Sequence, residues 1–349
     1  NRKNMNFSVK RQRKIRKHGC GQEAKTCAIA EELNKDFGAA EVKKVDTLNW
    51  KRHPVKLFLQ LVDLACNCKN VIMLPAHKSV KVFTPILVFL KRITGVTIHY
   101  AVVGGWLPTM TNADERLKRL LKKVDYIYVE TSSMADALQE QGFDNIVRFP
   151  NFKHIVPIDT DELFKAKYTE PYRLCFFARV TKEKGLEDAV DAVLSVNKKY
   201  GRMVYQLDVY GPVQGGQEEW FEQLKRKFSD CVKYRGFVEP EESVETLRDY
   251  FGMIFPTHYK TEGVPGTIID AYAAGVPVVT ARWDNCGDVI DEGVTGFGYE
   301  LGNVDQLTEC LNDIALNPER FISMKLNCVK KASEFMPEKI MEIMLRNLS

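Results

Sequence analysis

The sequence predicts an α/β protein made of two doubly wound parallel-sheet domains in tandem, and three observations predict it. The chain has 349 residues, 45% of them hydrophobic, which is enough for two ordinary cores and too much for one. Short β-branched or aromatic runs alternate with helical patterns from end to end, as in parallel sheets covered by helices on both faces. The alternation breaks once, between residues 150 and 172, where Pro150, Asn151, Pro157, Asp159, Asp161 and Pro171 bring turn chemistry in place of periodicity.

In the first half, strands are expected near 42–46, 70–75, 96–103, 124–130 and 146–149, on runs such as Val71-Ile-Met-Leu and Tyr126-Ile-Tyr-Val. Helices between them are expected near 22–35, 55–66, 79–92, 114–123 and 132–141. The second series has strands near 173–178, 204–210, 232–235, 252–256 and 276–280, with helices near 187–199, 217–228, 243–250, 267–274 and 305–316. The domains are drawn as 1–160 and 161–325, and 326–349 is read as a helical segment packing back on the first domain. Ligands of such sheets bind at the carboxyl ends of strands, so a substrate is expected in the cleft between two facing domains.

Net charge is +4 with 28% charged residues, a balance that fits a soluble enzyme and excludes disorder or bulk polyanion binding. The positive charge is local: residues 1–18 hold eight Lys or Arg and no acid, leaving the rest of the chain net acidic. No aromatic interleaves Lys10 to Lys17, which argues against a nucleic-acid partner. Nine scattered cysteines, an odd number, fit a reducing cytoplasm, and Cys66-x-Cys68 is read as core packing without a metal. The longest apolar run, Val82 to Leu90, contains Thr84 and Pro85 and stops at Lys91-Arg92, too short for a membrane span. The chain opens on Asn1 and runs basic where a first buried strand is expected, so a truncated start is expected.

Two segments carry the chemistry. Arg173-Leu-Cys-Phe-Phe-Ala-Arg179-Val-Thr-Lys-Glu-Lys184-Gly185 reads as a buried strand ending in a loop with two cations before a helix, a cradle for a diphosphate or else a solvated turn. Phe255 to Gly275 reads as a strand running into a glycine-rich loop and a small-residue helix, whose free amides around Gly263, Val264, Pro265, Gly266 and Thr267 face an anion with the helix dipole behind them. Glu262 stands just before that helix and Asp270 one turn inside it, as sugar and ribose contacts or as a cap and a surface charge.

Together these segments resemble the second domain of the retaining GT-B glycosyltransferases, family 4, known as glycosyl transferases group 1. The matching features are Arg179 to Lys184-Gly185, Glu262 to Asp270, and Gly275-Val-Pro277-Val-Val. Asp208-Val-Tyr210-Gly211-Pro212, Tyr234-Arg-Gly236-Phe237-Val238 and Gly293-Val-Thr295-Gly296-Phe297 follow in the same order. The resemblance implies a GT-B fold in which 161–325 binds a UDP- or GDP-sugar and 1–160 binds a glycan or lipid-linked acceptor. It assigns Arg179, Lys184 and Glu262 to catalysis, and Gly185, Gly211, Phe237, Val238, Gly263 to Thr267 and Asp270 to the donor. The acid at 270 is one methylene shorter than the family's Glu. In the first domain, Gly19-Cys-Gly21-Gln22 resembles the family's glycine loop, with Gly21 and Gln22 at the donor phosphates. Gly104, Gly105 and Trp106 stand where relatives carry a histidine; His99 and His77 lie nearby and are read as packed or surface residues.

The resemblance further implies retention at the anomeric carbon, cell-surface polysaccharide synthesis, and no cofactor or metal. Asp159-Thr-Asp161 spells a metal-binding D-x-D but lies in the linker, and Arg179 with Lys184 is expected to neutralise the departing diphosphate instead. Lys10 to Lys17 and the helix bearing Arg116, Lys118, Arg119, Lys122 and Lys123 are basic patches suited to an anionic membrane, or solvated faces, so a peripheral place on the inner face of the cell membrane is expected. The competing readings are a GT-B nucleotide-sugar epimerase and a noncatalytic subunit of a glycan-assembly complex.

Overall fold

A computed structural model describes residues 5–8, 21–45, 47, 50–75, 77–165 and 167–348. The chain divides into two compact units, residues 1–153 with 337–349, and residues 154–336. The first unit runs β1 (Met5–Ser8), α1 (Gly21–Phe37), β2 (Val42–Val45), α2 (Pro54–Asn67), β3 (Asn70–Met73), α3 (Val80–Thr94) and β4 (Thr97–Ala101). It continues with α4 (Leu107–Ala113), α5 (Glu115–Leu121), β5 (Tyr126–Val129), α6 (Ser132–Glu140) and β6 (Ile146–Arg148). The second unit contains α7 (Thr160–Lys165), β7 (Tyr172–Phe177), α8 (Leu186–Tyr200), β8 (Tyr205–Tyr210), α9 (Glu218–Lys225), β9 (Val232–Gly236) and α10 (Ser243–Leu247). Then come β10 (Gly252–Phe255), α11 (Gly266–Ala273), β11 (Val278–Arg282), β12 (Gly296–Glu300), α12 (Val304–Leu316), α13 (Pro318–Ser323) and α14 (Lys325–Ala332), and the last helix, α15 (Pro337–Leu345), belongs to the first unit.

Each unit holds one six-stranded parallel sheet, ordered β2-β1-β3-β4-β5-β6 in the first and β12-β11-β10-β7-β8-β9 in the second. The period-2 side-chain rule splits the first unit's core cleanly. Val71, Met73, Ile127 and Val129 face a core shared with Leu57, Leu61, Phe83 and Leu87. Ile72, Leu74 and Tyr128 face the opposite core, with Ile29 and Leu33 of α1 and Ile340, Met341 and Met344 of α15. Both faces are covered, which is why these strands read as continuous apolar runs.

A first strand exists where the sequence appeared only polar and basic. Met5–Ser8 pairs with both β2 and β3, and its four residues are too few to register as a period. The boundaries also move. Ile158 N–H donates to the Ala273 carbonyl at 2.9 Å and Leu163 packs against Gly275, so the second unit begins at 154 rather than 161. α14 packs on α11 within the second unit, so the segment returning to the first unit begins at 337 rather than 326. There the Leu348 carbonyl accepts from Asn70 Nδ2 at 3.0 Å.

Candidate functional site

β7 delivers its carboxyl end to a loop shaped by three local devices. Thr181 Oγ1 accepts from the Lys184 amide at 3.3 Å and closes a single 3₁₀ turn, Lys182–Lys184, which turns the lysine back over the strand ends. Gly185 follows in the left-handed region at φ 72° and lies so close to β10 that a Cβ would stand 1.8 Å from the Pro256 carbonyl oxygen. Gly211, at φ 130°, brings the loop after β8 equally near, with a Cβ position 1.9 Å from the Ala178 oxygen. These two glycines are therefore required by the crossing of backbones. Arg179 is exposed just past β7, its Nη1 donating to Gln214 Oε1 at 3.2 Å.

The loop after β10 meets this turn. Glu262 Oε1 accepts from Lys184 Nζ and from Thr257 Oγ1, the latter at 3.0 Å. The ammonium also lies 5.1 Å from the Phe255 ring centre and 5.2 Å from that of Tyr259. With side chains only 20% and 15% exposed, Lys184 and Glu262 form a largely desolvated pair. The loop is braced from three sides. Asn285 Nδ2 donates to the Glu262 carbonyl at 2.7 Å, the His258 amide donates to the Glu183 carbonyl at 2.8 Å, and His258 Nε2 pairs with Asp188 Oδ2 of α8 at 2.7 Å. Burial raises the Tyr259 phenol pKa, the Glu183 and Glu262 charges add to this, and Arg179 opposes it.

α11 begins at Gly266 after Pro265, so the Gly266 and Thr267 amides have no acceptor inside the helix. The Thr267 hydroxyl is buried and makes no hydrogen bond with any described residue. Gly263 and Val264 are buried in front of it, and Asp270, 2% exposed, is turned into the unit. Phe237 is 38% exposed, and Val238 beside it is half-buried. Sequence reasoning did not single out Thr257, Tyr259, Gln214 or Asn285; Thr257 and Tyr259 flank His258 in a segment otherwise read for its glycines.

Asp208 on β8 serves a different end. It is fully buried and accepts from Arg235 Nε at 2.7 Å, Tyr250 Oη at 2.7 Å and Arg173 Nη2 at 3.3 Å. Burial alone would raise its carboxyl pKa, but these bonds outweigh burial and hold it below the usual carboxylate range. Asp159 Oδ1 accepts from the Asp161 amide at 2.9 Å, so the D-x-D turns the chain into α7.

In the first unit Gly21 and Gln22 open α1, and the Gln22 side chain lies outside the described residues, as does the basic run Lys10 to Lys17. Gly104 sits at φ 82° and its amide donates to Glu130 Oε2 at 3.4 Å. Glu130 Oε1 pairs with Lys25 Nζ of α1 at 2.8 Å, both side chains almost wholly buried, and Lys25 reaches the Val102 carbonyl at 3.4 Å. Trp106 Nε1 donates to the Val103 carbonyl at 2.9 Å and its ring meets the exposed His77 edge-on at 4.7 Å, with Gly105 half-buried in the turn between. His99 is buried between Tyr128 Oη at 3.1 Å and Asn70 Oδ1 at 3.0 Å, and burial lowers its pKa to about 4 with Asp125 opposing. It is a packed, neutral histidine at physiological pH.

Residues 171–317 match the family described as Glycosyl transferases group 1. These residues make up most of the second unit, which is similar to a group 1 glycosyl transferase domain. Among curated proteins, the amylovoran biosynthesis glycosyltransferase AmsK of Erwinia amylovora is 28% identical over 151 residues, covering 41% of this chain and 35% of AmsK. The glycogen synthase of Mycobacterium tuberculosis is 24% identical over 225 residues, covering 63% and 52%. The chain thus spans roughly a third to a half of these relatives. Solved structures extend the likeness in fold to both units. HepE of Anabaena in complex with UDP superposes with a TM-score of 0.75 at 14% identity, covering 99% of each chain. The lipopolysaccharide outer core galactosyltransferase WaaB superposes with a TM-score of 0.69 at 15% identity, covering 99% and 98%. The chain has the GT-B fold.

Proposed function

We propose that this protein transfers a hexose-type sugar from a UDP- or GDP-sugar to a glycan or lipid-linked acceptor, with retention at the anomeric carbon, in the synthesis of a cell-surface polysaccharide at the cytoplasmic face of the membrane. The observation that carries this reading is the pairing of Lys184, on the loop after β7, with Glu262, on the loop that leads into α11. HepE has been solved with UDP-glucose, and AmsK is an amylovoran biosynthesis glycosyltransferase, which supports a nucleotide-sugar donor and a polysaccharide product.

In the proposed step the bond from the sugar's C1 to the β-phosphate oxygen breaks with its electrons on the oxygen. The acceptor oxygen bonds to C1 and passes its proton to the departing phosphate. Arg179, Lys184 and the Gly266 and Thr267 amides meet the charge that grows on that phosphate, each such donor supplying about 100-fold to 1,000-fold in rate. These cations do this without a divalent metal. Glu262 orients Lys184 and receives a sugar hydroxyl, and Asp270 receives the ribose. The family resemblance alone assigns Gly21 and Gln22 to the donor phosphates and Gly104, Gly105 and Trp106 to the acceptor.

A thermal-shift screen of UDP- and GDP-sugars tests the proposal: one donor at 100 times its Kd adds about 2.7 kcal/mol of stability. No shift with any donor, isomerised donor released without acceptor, an inverted linkage, or activity abolished by EDTA would each contradict it.

A further inference from the structure

A helix on the outside of an α/β domain normally carries one apolar stripe, turned toward the sheet. α2 and α3 carry two. Their inner stripes, Leu57-Leu61-Leu64 and Phe83-Leu87-Leu90, are buried in the first unit's core. Their outer faces are apolar as well. On α2, Val55 is 70% exposed, Leu59 62% and Phe58 45%, and half-buried Val62 and exposed Cys66 continue the line. On α3, half-buried Val82 and Ile86 lead to Phe89 at 56% and Ile93 at 68% exposure. The positions 55, 59, 62, 66 and 82, 86, 89, 93 each trace a single helical face. α2 packs against α3, and α3 against α5, so the two outer faces and α5 form one layer.

The charges of this layer select its occupant. Lys51, Arg52 and Lys56 stand at the start of α2, and Arg116, Arg119 and Lys122 are exposed on or just after α5. α2, α3 and α5 contain two acids, Asp63, which pairs with Lys43, and Glu115, which pairs with Lys118. A second copy of this face would meet like charge, and so would any basic partner. Helices of 14 and 15 residues are too short to span a bilayer, and no helix among the described residues is long and apolar enough to cross one. Apolar side chains flanked by cations fit a surface with an apolar interior under anionic headgroups.

We infer that the outer faces of α2 and α3 insert at the interface of an anionic lipid bilayer, with α5 against the headgroups. The binding surface lies outside the donor-phosphate site and operates whatever sugar is moved. Cosedimentation of the full chain with phosphatidylcholine vesicles, with and without phosphatidylglycerol, tests it. The mixed vesicles are expected to bind at least about tenfold more protein. Replacing Phe58, Leu59, Phe89 and Ile93 together by Ser is expected to lower that binding at least about tenfold, because four partly inserted apolar side chains are lost. Arg116→Glu with Arg119→Glu is a second variant, expected to lower binding most at low salt. Near-UV circular dichroism is expected to match wild type for both, since every changed side chain is exposed. Equal binding to both vesicle types, or a four-Ser variant that binds as wild type does, overturns the inference. So does a wild-type dimer in light scattering that the four-Ser variant abolishes without any change in vesicle binding, which would make this face a contact between copies.

Discussion

Gly185→Ala separates the backbone crossing at the loop after β7 from the ordinary penalty of a left-handed residue. Gly201, the C-cap of α8, is the control: its φ is 64°, close to the 72° of Gly185, but nothing lies within 4 Å of its Cβ position. Alanine at 201 therefore costs about 1 kcal/mol of backbone strain. At 185 the same strain is joined by a Cβ standing 1.8 Å from the Pro256 oxygen, and the two loops must part by about 1.6 Å to restore ordinary contact. Overpacking of this kind adds about 1–3 kcal/mol, so Gly185→Ala is expected to cost about 3 kcal/mol in all. In a unit of this size that lowers Tm by about 6–12 °C, against about 2–4 °C for Gly201→Ala.

Because Lys184 and Glu262 lie on the two loops that part, nucleotide affinity should fall about 100-fold in Gly185→Ala and stay unchanged in Gly201→Ala. Differential scanning calorimetry and UDP titration read the two effects. Equal losses of Tm, or undiminished UDP affinity in Gly185→Ala, would refute the reasoning.

Burial lowers the Lys325 ammonium to about 7, where its Nζ donates to the Tyr250 carbonyl at 2.7 Å and the Gly275 carbonyl at 3.2 Å. Above that pH the folded state has lost a proton that the unfolded chain still holds, so stability rises with pH toward 10.5. Urea melts should show wild type gaining on Lys325→Met by about 1.4 kcal/mol per pH unit above pH 7, and a flat difference would refute the assignment. Asp208→Asn is expected to cost about 2–3 kcal/mol at neutral pH through its charged hydrogen bonds. The Asp208 pKa is depressed, so this contribution is complete above 3.8 and lost as pH falls through the lower folded value; acid titration of the two proteins should converge there. Met344→Ala on α15, fully buried against α1, is expected to cost about 3 kcal/mol in chemical denaturation, and a negligible cost would mean that α15 does not complete the first unit's core.

Much of the fold was legible because parallel strands buried on both faces write themselves as apolar runs, as at Val71-Ile-Met-Leu, and because helices such as α8 and α12 keep one polar face. β1 was hidden by its brevity, and β12 by the glycines of Gly296-Phe-Gly298, which weaken its strand pattern. α14 and α15 have similar patterns and neighbouring positions but opposite allegiances, and only contacts with α11 and α1 distinguish them. At the site, the cations and the glycine loop were legible as types of residue at a strand's end. What could not be read was the division of labour among glycines. Gly185 and Gly211 are fixed by carbonyls on neighbouring loops, a constraint between distant segments that leaves no local mark. Asn285 was missed for the same reason, since it braces the Glu262 carbonyl from beyond α11 and β11, whereas Thr257 stands in the same loop as Glu262 and belongs to no motif.

Calorimetric titration of UDP into wild type and an Arg179→Ala/Lys184→Ala variant tests most directly whether these side chains and the α11 amides hold one diphosphate. The variant is predicted to bind UDP at least about 100-fold more weakly with its melting temperature preserved to within a few degrees. Equal affinity in the two proteins would contradict the account.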